Sequence, residues 1–390
     1  MSRRMMAALG AAAILAAAPA AWAQQQGVSQ DEILIGTLQD LSGPLAAYGK
    51  DLRNGMMLRV AEANEKGIHG RKIRLLVEDV GYDPRRAVLA AQKLVNQDKI
   101  FVMAGSLGTA VNNAALPVQL GKNVMNFFPA ALARDMYEPV HPLKYAFISS
   151  YYEQIQPAAA RLYREKKATR ACAVYQDDEY GLEILRGAEA GLKGINVEFV
   201  EKTSYKRGAT EFSSQVARLK AANCDFVVMG TLIRETVGVI AEARKLDFSP
   251  TFLGAFGSYT DLIHKLGGKA ADGLYATMTV QHPYEDDAPA QIRPWLERYR
   301  AQFKEAPTNY SIFGYVIMDR LVQSLEKAGP QLTTDSLIKA VQTLKTPVDM
   351  FGSPAMEIRE GKHLASNESR LSQIQDGRWK VVIDYDAMKH

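Results

Sequence analysis

Ser106 stands in the run Ala104-Gly105-Ser106-Leu107-Gly108, where a hydrophobic stretch ends abruptly in small and hydroxylated residues. A serine on such a turn can be a hydrolase nucleophile or a hydrogen-bonding grip on a ligand. The nucleophile elbow requires Gly-x-Ser-x-Gly, and here the first glycine is replaced by Ala104. The sequence has no Walker phosphate loop, no HExxH and no Cys-x-x-Cys pair, and Gly254-Ala255-Phe256-Gly257 lacks the full dinucleotide fingerprint. The six histidines, His69, His141, His264, His282, His363 and His390, are scattered and read as surface or loop residues. Asp177-Asp178-Glu179 are three consecutive acids that point in different directions on one turn. They suit a solvated helix start, where the helix dipole favours negative charge, better than a metal site. No constellation for catalysis, metal or cofactor emerges. What recurs is Ser, Thr, Gly, backbone amide and aromatic, which is the chemistry of binding. Thr109, just before a helical pattern over residues 111–120, is placed to cap that helix and to grip an anion together with the free N–H groups of its first turn.

The elements that position these residues alternate along the chain. Strand-like runs at residues 32–38, 72–77, 100–104 and 124–128 are separated by helical patterns at 52–63, 84–96 and 111–120. The order then repeats, with strands at 171–175, 197–200, 225–229 and 252–253 and helices at 180–192, 211–222 and 235–246. A further strand is expected at 274–280, helices at 292–303, 312–327 and 334–344, and a terminal hairpin turning at Asp376-Gly377. The fold class is α/β, with two similar doubly wound parallel-sheet lobes. Ligands of open parallel sheets sit beyond the carboxyl ends of the strands. That rule selects the loops at 39–48, 105–109 and 129–132 in the first half, and at 176–180, 230–234 and 255–259 in the second.

The 390 residues suffice for two domains with real cores, and 47% hydrophobic against 23% charged residues is a globular balance. The net charge is +4, of which Arg3 and Arg4 contribute two. That surplus is too weak to argue for nucleic acid, and no basic run with interleaved aromatics appears. Arg3-Arg4, an Ala-rich apolar stretch and Ala21-Trp22-Ala23 form a secretory leader over residues 1–23, cleaved after Ala23. Its shortness and Pro19 argue against a membrane anchor. The mature protein is expected in a bacterial periplasm. In that compartment Cys172 and Cys224 can form a disulfide. Each also sits at the edge of a hydrophobic run, and buried free thiols are the favoured expectation.

The runs ILIGTLQDLSGPLAAYGKDLRNGMML, GSLGTAVNNAA, YQDDEYGLEILRG, ATEFSSQVARLKAANCDFVVMG and GLYATMTV resemble, in order and spacing, the leucine/isoleucine/valine-binding type of class I periplasmic solute-binding protein of ABC importers. The resemblance covers essentially the whole mature chain. It implies the periplasmic binding protein type I fold, a three-strand hinge, a small-molecule ligand trapped by lobe closure, a permease partner, no catalysis and no cofactor. A monomer is expected. The lobes are expected at residues 28–149 with 281–367, and at 150–280 with 368–390. Carried over residue by residue, the aromatic after the Gly-Pro loop falls on Tyr48, and the carboxylate-gripping Ser falls on Thr109, with Ser106 second. A small residue falls on Ala130, the tyrosine of a Tyr-Gly turn on Tyr180, and an aromatic of the late helix on Tyr315. Three positions depart. The Thr that helps to hold an ammonium falls on Leu132, the acid that neutralises it on Phe256, and a second-lobe Tyr on Leu232. The family's first-lobe cysteines fall on Tyr82 and Gly108. A buried ammonium without acceptor or counter-charge costs several kcal/mol. The site is therefore expected to hold a small carboxylate lacking an amino group, in a pocket lined by Tyr48, Tyr151, Tyr180, Phe256, Tyr259 and Tyr315. A branched-chain amino acid or amide ligand, and a sensor module, remain the alternatives.

Overall fold

The computed structural model describes residues 25–385 and residue 388. The expected leader and its cleavage point lie outside the described residues, as does His390. The first sheet holds β1 (Glu32–Gln39), β2 (Lys72–Asp79), β3 (Val102–Ala104), β4 (Met125–Phe127) and β5 (Lys144–Tyr145), in the order β2-β1-β3-β4-β5. All its pairings are parallel, with Ile35 opposite both Leu75 and Val102. The second sheet starts from β6 (Ala171–Gln176), β7 (Glu201–Tyr205), β8 (Phe226–Gly230), β9 (Thr251–Gly254) and β10 (Tyr275–Met278). A separate short pair, β11 (Lys345–Thr346) and β12 (Met356–Glu357), follows. The terminal hairpin, β13 (Arg370–Gln375) and β14 (Arg378–Ile383), then adds antiparallel to β10, giving the order β14-β13-β10-β9-β8-β6-β7. The inner strands are buried on both faces, as parallel strands covered by helices on two sides must be. In each sheet the strand order reverses at the corresponding place, between β1 and β3 and between β6 and β8, which marks where a ligand crevice opens.

The helices are α1 (Ala46–Lys66), α2 (Pro84–Gln92), α3 (Thr109–Leu120), α4 (Tyr151–Glu165), α5 (Glu179–Lys193), α6 (Ser213–Ala221), α7 (Ile233–Lys245), α8 (Asp261–Gly267), α9 (Arg293–Phe303), α10 (Asn309–Ala328) and α11 (Thr334–Val341). The late helices return to the first lobe, where α10 lies along α1. Glycine allows their close approach: a Cβ on Gly55 would sit 1.9 Å from the Ser311 carbonyl oxygen, and one on Gly314 2.0 Å from that of Leu52. The chain passes between lobes three times, after β5, after β10 and before β13. The first and third passages run side by side, with Ala146 N–H donating to the His363 carbonyl (2.9 Å) and Ala365 N–H to that of Ala146 (3.0 Å).

Several expectations change. The strand expected at residues 197–200 forms instead at β7, whose EKTSY sequence buries only Thr203 and Tyr205. It is an edge strand, and polar residues are what an edge can carry. Helix α4 was not among the expected elements. Pro157 in its middle masks it, yet Ser150 and Glu153 form a full capping box at its start. Thr109 is the first residue of α3, not its cap. That position belongs to Gly108, at φ 97°, where a left-handed backbone favours glycine. Cys172 and Cys224 are joined as a disulfide between β6 and the residue leading into β8, which replaces the favoured expectation of free thiols. Cys172 lies in β6 and Cys224 two residues before its parallel neighbour β8, with Cα atoms 5.9 Å apart, a contact that only the pairing of the sheet creates. His363 and the ring of His282 are buried, the former held by the His141 and Lys144 carbonyls.

Candidate ligand site between the lobes

Four of the expected loops converge at the two switch points, and those after β4 and β9 complete the ring. Their cavity is lined by Leu45, Tyr48 and Tyr82 from around the ends of β1 and β2, and by Leu107, Gly108 and Thr109 after β3. Ala130 and Leu132 follow β4, and Tyr151 opens α4. Tyr180, Leu232, Phe256 and Gly257 come from the second lobe, and Tyr310 and Phe313 from α10. The walls meet closely, leaving an open volume of about 20 Å³. The lobes touch directly inside it: the Tyr48 hydroxyl donates to the Gly257 carbonyl across the cleft at 2.6 Å. Tyr48 stacks on Tyr310 with ring centroids 4.0 Å apart, Phe256 packs against Tyr310 and Phe313, and Tyr151 meets Tyr180 edge to face.

No charged side chain is among the described lining residues. Burial pushes the Tyr48, Tyr180 and Tyr310 hydroxyls well above their ordinary range, and Tyr151 up to about 12, so all stay neutral donors. Tyr48 and Tyr180 commit their single protons to carbonyls, the latter to Thr231 at 3.0 Å. Thr109 Oγ1 is buried beside the Tyr151 hydroxyl, with which it forms no closely aligned hydrogen bond. It sits at the first turn of α3, where backbone N–H groups are free of helical partners. One polar corner of the cavity is thus a donor cluster at a helix N-terminus, facing apolar side chains at Leu132, Leu232 and Phe256.

Three expected residues lie elsewhere. Ser106 is fully buried behind the cavity, and its hydroxyl accepts from Leu38 N–H at 3.0 Å, fastening the β3 turn to β1. Tyr315 turns away on α10, donates to Glu62 at 2.6 Å and packs against Trp295 and Phe351. Tyr259 faces the interlobe passage, where its hydroxyl accepts from His282 N–H and its ring meets Trp379. Tyr310 was missed because the helix was expected to begin at residue 312, and Phe313, inside that helix, because no strand-end loop holds it. Their spacing of three on one helix face was the available clue. Tyr82 and Gly108, the positions of the family's cysteines, do touch. A Cβ on Gly108 would fall 2.7 Å from the Tyr82 ring, so an aromatic laid on a glycine fills that corner. Of the acidic run, Asp178 caps α5 by accepting from Tyr180 and Gly181 N–H, while Asp177 pairs with Lys206.

A family model for periplasmic binding proteins matches residues 32–378. The chain belongs to the periplasmic binding protein family. It is 27% identical over 321 residues to the Leu/Ile/Val-binding protein of Escherichia coli K12, covering 82% of this chain and 86% of that one. A fatty acid ABC transporter substrate-binding protein from Thermomonospora curvata superposes with a TM-score of 0.84 at 21% identity, over 94% of this chain and 96% of that one. An ABC transporter solute-binding protein from R. palustris, in complex with benzoate, does so with a TM-score of 0.78 at 17% identity, over 91% and 96%. The family and these relatives are solute-binding proteins, not enzymes.

Proposed function

We propose that this periplasmic binding protein captures a small carboxylate lacking an amino group, with an aromatic or otherwise hydrophobic acid favoured, and delivers it to the permease of an ABC importer. The carrying observation is the polarity of the cavity. Its Thr109 hydroxyl, beside that of Tyr151, stands at a helix N-terminus, while the side chains of Leu132, Leu232 and Phe256 offer an ammonium neither acceptor nor counter-charge. A carboxylate needs no cation in such a place, because first-turn N–H groups and the helix dipole favour it. An ammonium buried at the opposite wall would go unpaired. The benzoate complex of the R. palustris protein is a relative with a ligand of this kind. The lobe boundaries are placed at residues 149/150, 280/281 and 367/368, and residues 1–23 are read as the leader for export to the periplasm, with the mature protein a monomer.

The similarity to branched-chain amino acid binders favours a second reading, an amino acid held through a rearranged ammonium site. Thermal shift and calorimetry on the mature protein decide between them, with benzoate, hexanoate, benzamide, leucine and isoleucine as probes. Benzoate or hexanoate is expected to raise the melting temperature by mass action while leucine leaves it unchanged. A rise with leucine and none with any non-amino acid overturns the ligand class.

A further inference from the structure

Two arginines straddle the mouth of the cleft. Arg134 stands in the first lobe, two residues beyond Leu132, and reaches Glu183 on α5 of the second lobe. Its Nε donates to Oε1 at 2.7 Å and its Nη2 to Oε2 at 3.2 Å, and its own backbone N–H donates to the same carboxylate at 3.2 Å. The guanidinium also lies 3.8 Å over the ring of Tyr152, on α4 of the second lobe. The Glu183 side chain is 8% exposed and that of Arg134 31%, so the pair is largely withdrawn from water. Across the cavity, Arg207 of the second lobe, held by Asp178, lies over the Tyr82 ring of the first at 4.8 Å, and Gln176 donates to the Tyr82 hydroxyl at 3.3 Å. Tyr82 lines the cavity, whereas Arg134 and Glu183 do not.

We propose that Arg134 and Glu183 form an interlobe clasp that sets ligand affinity from outside the pocket, by fixing the equilibrium between open and closed lobes. Every contact of the Arg134 guanidinium with Glu183 and Tyr152 joins one lobe to the other, so lobe separation breaks all of them together. A bidentate, charge-assisted pair in this setting is stronger than an exposed ion pair. Opening leaves both charges to water, and closure reunites them. A protein closed by its own clasp binds ligand with an apparent affinity scaled by the population of the competent state. This inference rests on the two-lobed fold and not on the identity of the ligand.

The test is hydrogen exchange of the cleft-facing segments 105–111 and 255–259 in ligand-free protein, with β8 as an internal control for global stability. Glu183→Gln and Arg134→Ala are expected to speed exchange in both segments about tenfold, the factor that the loss of one charge-assisted hydrogen bond carries. Exchange in β8 is expected to stay unchanged. The charge swap Arg134→Glu/Glu183→Arg is expected to return the cleft segments toward the wild-type rate. Glu183→Gln is nearly isosteric, so it preserves the packing if Arg134→Ala does not. Unchanged cleft exchange in Glu183→Gln overturns the clasp, and so does a swap that stays as fast as the single variants. Neither result depends on whether benzoate or leucine binds, so failure here and failure of the proposed ligand class are separately visible.

Discussion

At the scale of single residues, Thr109 and Phe256 define the two ends of the cavity, and each yields a distinct prediction. The Thr109 hydroxyl meets the Tyr151 hydroxyl without a closely aligned hydrogen bond and caps no helix. Thr109→Val is therefore expected to leave the denaturation midpoint of the empty protein unchanged. It is expected to weaken benzoate about tenfold in calorimetry, the value of one hydrogen bond to a charged group. Equal affinity would mean that the carboxylate sits elsewhere. Phe256 is 3% exposed and packed between Tyr310 and Phe313. Phe256→Glu places an unpaired carboxylate there, in the apolar wall of the cavity. Benzoate binding should be lost while the circular dichroism spectrum stays native, and unchanged affinity would remove Phe256 from the site. Tyr151, at the start of α4, was expected only as an aromatic, but Tyr48, Thr109, Ala130, Leu132, Tyr180, Leu232 and Phe256 were legible as cavity residues because each falls in a loop that strand-end topology selects. Ser106 was not, because a hydroxyl one position along the same turn points back into the sheet. That choice of direction depends on local φ and ψ, not on residue type.

At the scale of elements, the disulfide ties β6, which leads to Tyr180, to the residue two places before β8, which leads to Leu232. Cys172 and Cys224 enclose a separation of 52 residues. Cross-linking a loop of that length restricts the unfolded chain by about 4 kcal/mol. The double variant Cys172→Ser/Cys224→Ser is expected to lose roughly that much in urea denaturation, with the loss falling on the second lobe. A change below about 1 kcal/mol would show that the bond contributes little beyond local packing. Helix α4 teaches the complementary lesson. Its periodicity is interrupted by Pro157, yet the Ser150–Glu153 capping box fixes where it starts, and so where Tyr151 meets the cavity. A local signal was present there, and the internal proline outweighed it. For β7 no local signal sufficed. The apolar run at 197–200 is a better strand by composition, but pairing with β6 selects the polar residues that follow.

At the scale of the whole molecule, the cleft between the lobes also carries a pH-dependent term. Asp51 on α1 accepts from the Thr308 hydroxyl at 2.8 Å, and burial, with Glu305 and Asp261 nearby, pushes its carboxyl up to about 7. In the unfolded chain it returns to the ordinary carboxylate range. Between about pH 4 and 7 the folded protein therefore holds more protons than the unfolded one, and stability from this group falls as pH rises through that window. Asp51→Asn, which keeps an acceptor for Thr308 and carries no charge, is expected to be more stable than wild type at pH 8. An advantage of up to about 4 kcal/mol should shrink to nearly nothing by pH 4. Melting temperatures of the two proteins across pH 4–8 test it, and a difference independent of pH would place the cause in packing. His282, in the same cleft, is pushed down to about 4 by burial and acts in the opposite sense, losing stability as pH falls below its ordinary value.

By itself the sequence determined the α/β class, the doubled order of strands and helices, and, through strand-end topology, the loops that surround the cavity. These follow from hydrophobic period, from strand-end topology and from residue type, all of which are written locally. The tertiary structure decided which hydroxyl faces the cavity, which aromatics of α10 line it, the joining of Cys172 to Cys224, and the meeting of Arg134 with Glu183. Each of these depends on the relative placement of segments far apart in the chain. The sheet order and the closure of two lobes set that placement, and no local pattern encodes it.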